Sequence, residues 1–281
     1  MTADLPHPIT GRPFGSPVPP GTGWPDDQAG PDTPVARSPE DVRRLAGEAS
    51  LAQIEARVSV CAACRRLVDW REEVARTKRA SYASEPYWGR PVAGWGEPHP
   101  RILIVGLAPA ANGGNRTGRI FTGDRSGDWL FAALHRVGLA TQPTSTNAGD
   151  GQVLVGCRMV AAVRCAPPDN KPTVEERDNC SPWLLRELSL VAGDVRVVVC
   201  LGSYGWDAAL RAYAALGYVV PRPKPRFGHA LEAVLDMPGG SPVVLLGSYH
   251  PSQQNTFTGR LTEPMLDAVL ARAREVAGLE D

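Results

Sequence analysis

Four short apolar runs stand out along the chain: RILIVG at 101–106, a run within VLVGCRMVAAVR at 153–164, VRVVVCLG at 195–202 and VVLLGSY at 243–249. Each is continuous rather than alternating, which predicts strands buried on both faces. Between them apolar positions recur at helical spacing. Ser126 is placed to cap a helix carrying Trp129, Leu130, Ala133, Leu134 and Val137, and Thr173 with Glu176 makes a capping box. Pro182 reads as the opening of a helix with Leu184, Leu185 and Leu188. Ser203 precedes a helix over 204–215, and Thr262 precedes a last one with Leu266, Val269, Leu270 and Ala273. A further helix is expected from Ser38-Pro39-Glu40-Asp41 to about Ala56, with Val42, Leu45, Ala49 and Ala52 on one face. Strands alternating with helices predict an α/β fold with a mostly parallel sheet and helices on both of its faces. Ligands of such sheets bind outside the carboxyl ends of the strands.

The first 37 residues break this pattern. They hold nine Pro and five Gly with few large apolar residues. The expectation is a disordered or loosely wrapped tail over 1–37, dispensable for chemistry, with Trp24 as its one residue able to dock. A single domain is expected over 38–281. Composition narrows the class of the body. The 281 residues carry 30 Lys plus Arg against 30 Asp plus Glu, so a generally polybasic nucleic-acid binder is excluded, while a local basic patch is not. No apolar run of about 18 residues is present, and the first residues have neither a basic nor an apolar signal-like segment. No membrane partner and a cytoplasmic location are therefore expected.

The six cysteines fit a reducing compartment better than a disulfide scaffold. Cys157 and Cys200 fall inside apolar runs and read as core packing. Cys61-x2-Cys64 can aim two thiolates at one ion, and Cys165 and Cys180 occupy loop positions free to turn inward. From spacing alone, four such thiolates fit tetrahedral zinc and a [4Fe–4S] cluster equally.

Three segments after predicted strands are rich in Gly and short polar residues. The first, GLAPAANGGNRTGRIFTGDRSGDW at 106–129, has six glycines, so backbone can approach a ligand closely, and it is neither a Walker A loop nor GxGxxG. It carries a carboxylate, Asp124, and an aromatic, Phe121, that no helix or strand pattern buries. The second, RCAPPDNKPT at 164–173, holds Asn170 among three prolines. Such an Asn either makes a plain Asx turn or presents a donor and an acceptor to a base edge. In the third, GSYHPSQQNTFTGRLT at 247–262, His250 ends a strand, and Ser252, Gln253, Gln254, Asn255 and Thr256 offer uncharged polar groups to phosphates.

Taken together, GLAPAANGGNRTGRIFTGD, RCAPPDNKP and SYHPSQQNTFTGRLT, with the cysteine spacing, resemble the uracil-DNA glycosylase superfamily, most closely its iron–sulfur family 5, or type B. The resemblance spans roughly residues 55–277. It implies a three-layer α/β/α sandwich around a four-stranded, mainly parallel sheet. It implies a structural [4Fe–4S] cluster on Cys61, Cys64, Cys165 and Cys180. It also implies a monomeric enzyme that hydrolyses the N-glycosidic bond to uracil and other deaminated bases in DNA, hypoxanthine included, for base-excision repair. Residue by residue, Phe121 would stack on the flipped base and Asn170 would bond its Watson–Crick edge. Asp124 would orient water or face the cationic sugar, and His250 would face O2 of the base. Backbone N–H groups from Gly106 through Ala108 to Ala110 would line the base pocket, and Ser252, Gln253, Gln254 and Asn255 would meet DNA. One departure is visible: the family commonly carries a His directly after two small residues of the first motif, where this chain has Asn112.

The chemistry is consistent with these roles. Breaking the bond builds positive charge on the sugar and negative charge on the base, so a carboxylate on one side and a donor on the other each stabilise one half. Extruding a base costs ~ a few kcal/mol, least at a mismatch such as those deamination creates. Basic surface is expected after the CxxC, where Arg65, Arg66, Arg71, Arg76, Lys78 and Arg79 either meet phosphates or form a solvated helix face. Competing readings are a non-catalytic binder of damaged or abasic DNA on the same fold, and a four-cysteine zinc protein acting on a nucleotide or sugar phosphate.

Overall fold

A computed structural model describes residues 4–279. The four apolar runs form the centre of one sheet: β4 (Ile102–Gly106), β5 (Cys157–Ala161), β6 (Val197–Leu201) and β8 (Val243–Ser248). They lie side by side in the order β5-β4-β6-β8, all parallel, with Ile104 opposite Met159 and Val199, and Val199 opposite Leu246. Two edge strands are added. β3 (Trp95–Gly96) runs antiparallel beside β5, and β7 (Glu232–Leu235) antiparallel beside β8. The expected four-stranded, mainly parallel sheet is thus corrected to a six-stranded mixed sheet whose inner four strands are the parallel ones. A short hairpin, β1 (Leu5–Pro6) with β2 (Pro13–Phe14), stands apart from it.

Alternate residues of each inner strand feed opposite layers. On one face Ile102, Ile104, Val197 and Val199 pack with Leu130 and Leu134 of α5 (Arg125–Arg136) and Leu266 and Leu270 of α9 (Glu263–Ala277). On the other, Leu103, Val105, Val198 and Cys200 pack with Leu184 and Leu188 of α6 (Val174–Val191) and Trp206 and Leu210 of α7 (Gly202–Ala215). No helix among the described residues is long and apolar enough to cross a membrane.

Several boundaries differ from the sequence reading. The stretch from Ser38 is two helices, α1 (Pro39–Gly47) and α2 (Leu51–Ser59), because Ser50 and Gln53 form a second capping box. After them come α3 (Arg65–Thr77) and the one-turn α4 (Gly114–Thr117). Asp124, not Ser126, caps α5, its carboxylate accepting from the Gly127 N–H at 2.9 Å. Pro182 lies inside α6 rather than at its start. It has no N–H for the carbonyl of Asp178, which instead accepts from the Ser181 hydroxyl at 2.8 Å. The short α8 (Gln253–Phe257) is capped by Ser252.

The N-terminal segment is the largest correction. Residues 4–37 are neither disordered nor loose: Phe14, Val18 and Trp24 are buried in the same cluster as Ile120 and Phe121. Trp24 sits edge-on to His7 at 4.5 Å and Phe14 at 5.1 Å, and lies 5.9 Å from Trp88. Asp27 forms a buried, two-pronged ion pair with Arg90. The prolines that read as disorder also restrict the unfolded chain, so few anchors suffice to fix the segment.

Candidate functional site

The connections leaving β4 and β6 run to opposite sides of the sheet, and the crevice opens where they part. There the residues following β4, β5, β6 and β8 enclose a cavity of about 510 Å³. Its walls bring together Ala108, Phe121, Asp124, Asn170, His250, Ser252, Gln254 and Asn255, residues drawn from three distant segments. A second, more open hollow of about 690 Å³ adjoins it, sharing Ala110, Asp124 and Asn170 and adding Asn112 and Gln253. Gly106, expected in the pocket lining, instead backs the Phe121 ring.

Glycines set the aromatic and the carboxylate in place. A Cβ on Gly106 would lie 2.4 Å from Phe121 Cζ, and one on Gly127 would lie 2.0 Å from the Phe121 carbonyl oxygen. Phe121 itself has φ +51°, a left-handed conformation disfavoured for a bulky side chain. Its ring is thereby turned into the cavity, 6.2 Å from the His250 ring. A Cβ on Gly113 would lie 2.1 Å from Asp124 Oδ2. Burial raises the Asp124 pKa above the ordinary carboxylate value, against the lowering effect of the Gly127 and Ser126 backbone N–H groups. The polar groups that favour its ionised form are those of a helix N-terminus.

Asn170 is exposed at the cavity mouth. It and Asp169 both have positive φ, +55° and +52°, where Asn and Asp are better tolerated than most residues. The turn closes with the Asn170 N–H on the Pro167 carbonyl at 3.2 Å, and the Asn170 side-chain amide makes no hydrogen bond with a described residue. His250 follows β8. Burial lowers its pKa to about 4, so the ring is neutral at physiological pH and one nitrogen carries a hydrogen to donate. Its carbonyl accepts from the Ser252 N–H at 2.7 Å and from Asn255 Nδ2 at 2.9 Å. Asn255, expected to meet DNA, uses one of its two amide hydrogens to hold the His250 backbone.

Sequence reasoning missed Tyr204, Phe227, Tyr249 and Arg260, which complete the wall. Tyr249 precedes His250 in the third motif, and its N–H donates to His229 Nδ1 at 3.2 Å while the two rings stack. Phe227 comes from a connection with no helix or strand pattern, so nothing local marked it. The basic run after the CxxC is mostly spent internally. Arg65 pairs with Asp69, Arg66 with Glu176, and Arg76 with Glu72 and Glu73. Arg79, however, lines the second hollow.

Cys61, Cys64, Cys165 and Cys180 face one small cavity together with Arg71, Asn179 and Trp183. Cys180 belongs to α6, not to a loop. Burial raises the thiol pKa of Cys61, Cys64 and Cys180, Cys64 to about 11. Donors nevertheless point at the sulfurs: Arg71 Nη1 lies 3.0 Å from Cys165 Sγ and the Arg164 N–H 3.4 Å from Cys180 Sγ. The buried indole N–H of Trp183 is turned toward Cys61 and favours its thiolate form. These are the surroundings of sulfur carrying negative charge, as metal-bound thiolate does. Among the described residues no three His, Cys, Asp or Glu side chains converge tightly enough to hold a single metal ion.

The N-terminal segment reaches the first motif directly. The Trp24 indole rests where a Gly118 Cβ would come within 2.7 Å of Nε1, and Gly118 needs its φ of +77° to end α4. Arg119 pairs with Asp26 at 3.1 Å and with Asp150 at 2.6 Å. Asn112, where the chain departs from the resemblance, accepts from the Tyr87 hydroxyl at 2.9 Å, and the Tyr87 N–H donates to Ser16 Oγ at 2.9 Å.

Residues 93–274 match the Uracil DNA glycosylase superfamily. A protein of Mycobacterium tuberculosis called type-5 uracil-DNA glycosylase is 57% identical over 275 residues, 98% of this chain and 100% of the relative. Proteins of the same name are 49% identical in Thermus thermophilus, over 79% of this chain and 96% of the relative, and 45% identical in Pyrobaculum aerophilum, over 78% and 89%. With this likeness running along the cavity-forming segments and, in the mycobacterial relative, nearly the whole chain, the protein belongs to the uracil-DNA glycosylase superfamily, in the group of type-5 enzymes.

Proposed function

We propose that the protein hydrolyses the bond between uracil and deoxyribose in DNA, leaving an abasic site for base-excision repair, and that hypoxanthine and other deaminated bases share the site. The observation that carries this reading is the meeting of Phe121, Asp124, Asn170 and His250 on one cavity at the carboxyl ends of the parallel strands. An aromatic face, an amide, a carboxylate and a neutral imidazole are the groups that a flipped base and its breaking glycosidic bond require.

In this mechanism Phe121 stacks on the extruded base and the Asn170 amide pairs with its Watson–Crick edge. As the bond lengthens, negative charge gathers on the base and positive charge on the sugar. The His250 N–H donates to O2 of the departing base. A neutral donor suits this role, since no proton has to be taken up first. Asp124, when ionised, accepts a hydrogen bond from the attacking water and faces the oxocarbenium charge. Its partly buried position strengthens both effects relative to water. Ser252, Gln253 and Gln254 lie where backbone phosphates flanking the flipped nucleotide would pass. The enzyme is expected to act as a monomer in the cytoplasm.

Cys61, Cys64, Cys165 and Cys180 would hold a [4Fe–4S] cluster. The four-sulfur donor set and the Arg71, Arg164 and Trp183 N–H groups turned toward the sulfurs support that assignment. Bound there, the cluster would supply a covalent tie between the 61–64 segment, the loop after β5 and α6, apart from the hydrolytic residues. The deciding experiment is a glycosylase assay with uracil, hypoxanthine, xanthine and thymine opposite each base. Release of uracil is expected; intact duplex after prolonged incubation with iron-loaded enzyme refutes the reading.

A further inference from the structure

We propose that residues 221–226, Pro221-Arg222-Pro223-Lys224-Pro225-Arg226, form a phosphate-binding surface for the DNA strand beside the flipped nucleotide. The proposal rests on the DNA-glycosylase reading above and adds a contact surface outside its motifs. In a chain with no net charge, this segment has three cations and no acid in six residues. All three cations are exposed. Arg222 and Arg226 make no ion pair or hydrogen bond with any described residue, and only Lys224 is paired, with Asp207 at 2.7 Å. The contrast with α3 matters, because most of that helix's cations are neutralised by acids of the protein itself.

The segment is also firmly placed next to the cavity. Phe227, directly after Arg226, lines the cavity wall and packs against Trp206 and Tyr249. The Trp206 indole N–H donates to the Pro225 carbonyl at 3.0 Å, tying the segment to α7. Beyond it the Gly228 carbonyl presses on Gly247 of β8, where a Cβ would come within 2.2 Å, and the Ala230 N–H donates to the Gly247 carbonyl at 2.8 Å. Arg226, directly before Phe227, therefore stands beside the wall that carries Arg260, whose guanidinium lies 4.5 Å from the Tyr249 ring centroid, and Arg222 continues the exposed row away from it, toward Val219. A strand whose base enters the cavity has its neighbouring phosphates at this rim.

The chemistry points to a row of phosphates rather than one bound anion. Prolines at alternate positions remove every second backbone N–H, so the segment has no cradle of amides for a single phosphate. The same prolines restrict the backbone before binding, which lowers the entropy lost when the arginines settle on a strand.

The test is the salt dependence of binding to an undamaged duplex and to a uracil-containing duplex by the iron-loaded full chain. Each phosphate contact contributes ~0.9 to the slope of log affinity against log salt. Arg222→Ala with Arg226→Ala should therefore flatten the slope by about 2 and weaken affinity roughly tenfold or more at ~0.15 M salt. The single-turnover rate at saturating enzyme should stay within about twofold of the parent. Arg222→Lys with Arg226→Lys should restore the slope, and Arg43→Ala, on α1, should leave it unchanged. An unchanged slope in the double Ala variant overturns the proposal. So does a loss of saturating rate without a change of slope, which would assign the segment to shaping the pocket through Phe227. Failure of the parent to release uracil would refute the glycosylase reading separately, since the slope is read from binding alone.

Discussion

Trp24→Ala tests whether the N-terminal segment braces the reactive loop or merely covers it. Trp24 is 2% exposed and touches His7, Phe14 and Trp88 on one side and the α4 turn at Gly118 on the other. Removing a buried Trp side chain costs ~3–5 kcal/mol when the surroundings cannot collapse. The indole N–H is itself buried without a partner, so its loss relieves a small penalty and places the cost near the lower figure, about 3 kcal/mol. That is a large share of the ~5–15 kcal/mol that holds a domain folded. The second consequence is local. Gly118 is three residues before Phe121, and Arg119 is held by Asp26 of the same segment. Relaxing the turn lets the strained Phe121 backbone drift and carries Asp124 with it. Urea unfolding should show the loss of stability. Single-turnover cleavage below the new midpoint should show a rate reduced by about tenfold, because ~1.4 kcal/mol of lost positioning is enough for that. DNA affinity should change little. A Trp24→Ala protein within 1 kcal/mol of the parent and with full turnover, or a chain starting at Ser38 with unaltered unfolding and turnover, refutes the brace.

Asp124→Asn should keep the hydrogen bond from the Gly127 N–H yet cut the single-turnover rate by ~10²-fold or more, with DNA affinity unchanged or slightly raised. Turnover of the parent should fall as pH drops through the raised Asp124 pKa, and a pH–rate profile of the Asn variant should lack that limb. His250, with its pKa lowered from 6.5 to about 4, takes up its proton more readily when unfolded; stability is intact above about pH 6.5 and declines toward pH 4, and denaturant titrations of His250→Asn should show a shallower decline. Cys180→Ala should lose iron by metal analysis, whereas Cys157→Ala and Cys200→Ala should retain it and lose only ~1–2 kcal/mol; iron unaffected in Cys180→Ala removes the cluster assignment.

What could be read from the chain follows from the range of the interactions. The inner strands were visible because helices cover both sheet faces, leaving no polar alternation to disguise them. β3 has two residues, and β7 alternates over only four, with Ala233 and Leu235 inward, too short a run to separate from a loop. Phe121, Asp124, Asn170 and His250 were legible because each lies in a contiguous motif. Their convergence was not, since it depends on strand order. The helix cap was misplaced by two residues because Asp124 and Ser126 are both good caps, and only the geometry of the turn chooses between them. The N-terminal segment was misread for a similar reason. Its anchors are remote, as with the His7 ring on Asn147 at 3.1 Å across 140 residues, and composition carries no record of such partners.

The glycines at 106, 113 and 127 have a bearing on how this gene tolerates mutation. The space each Cβ would need is taken by the Phe121 ring, the Asp124 carboxylate and the Phe121 carbonyl respectively. None of the three has an atom that reacts with anything. Yet every missense change of their codons adds a side chain, and each addition displaces a group of the site. In a library of random variants scored for activity, these silent positions should therefore be depleted as strongly as Asp124 itself. A map of intolerance alone would overcount the chemical machinery, because it cannot separate the residues that act from the empty spaces that let them stand where they do.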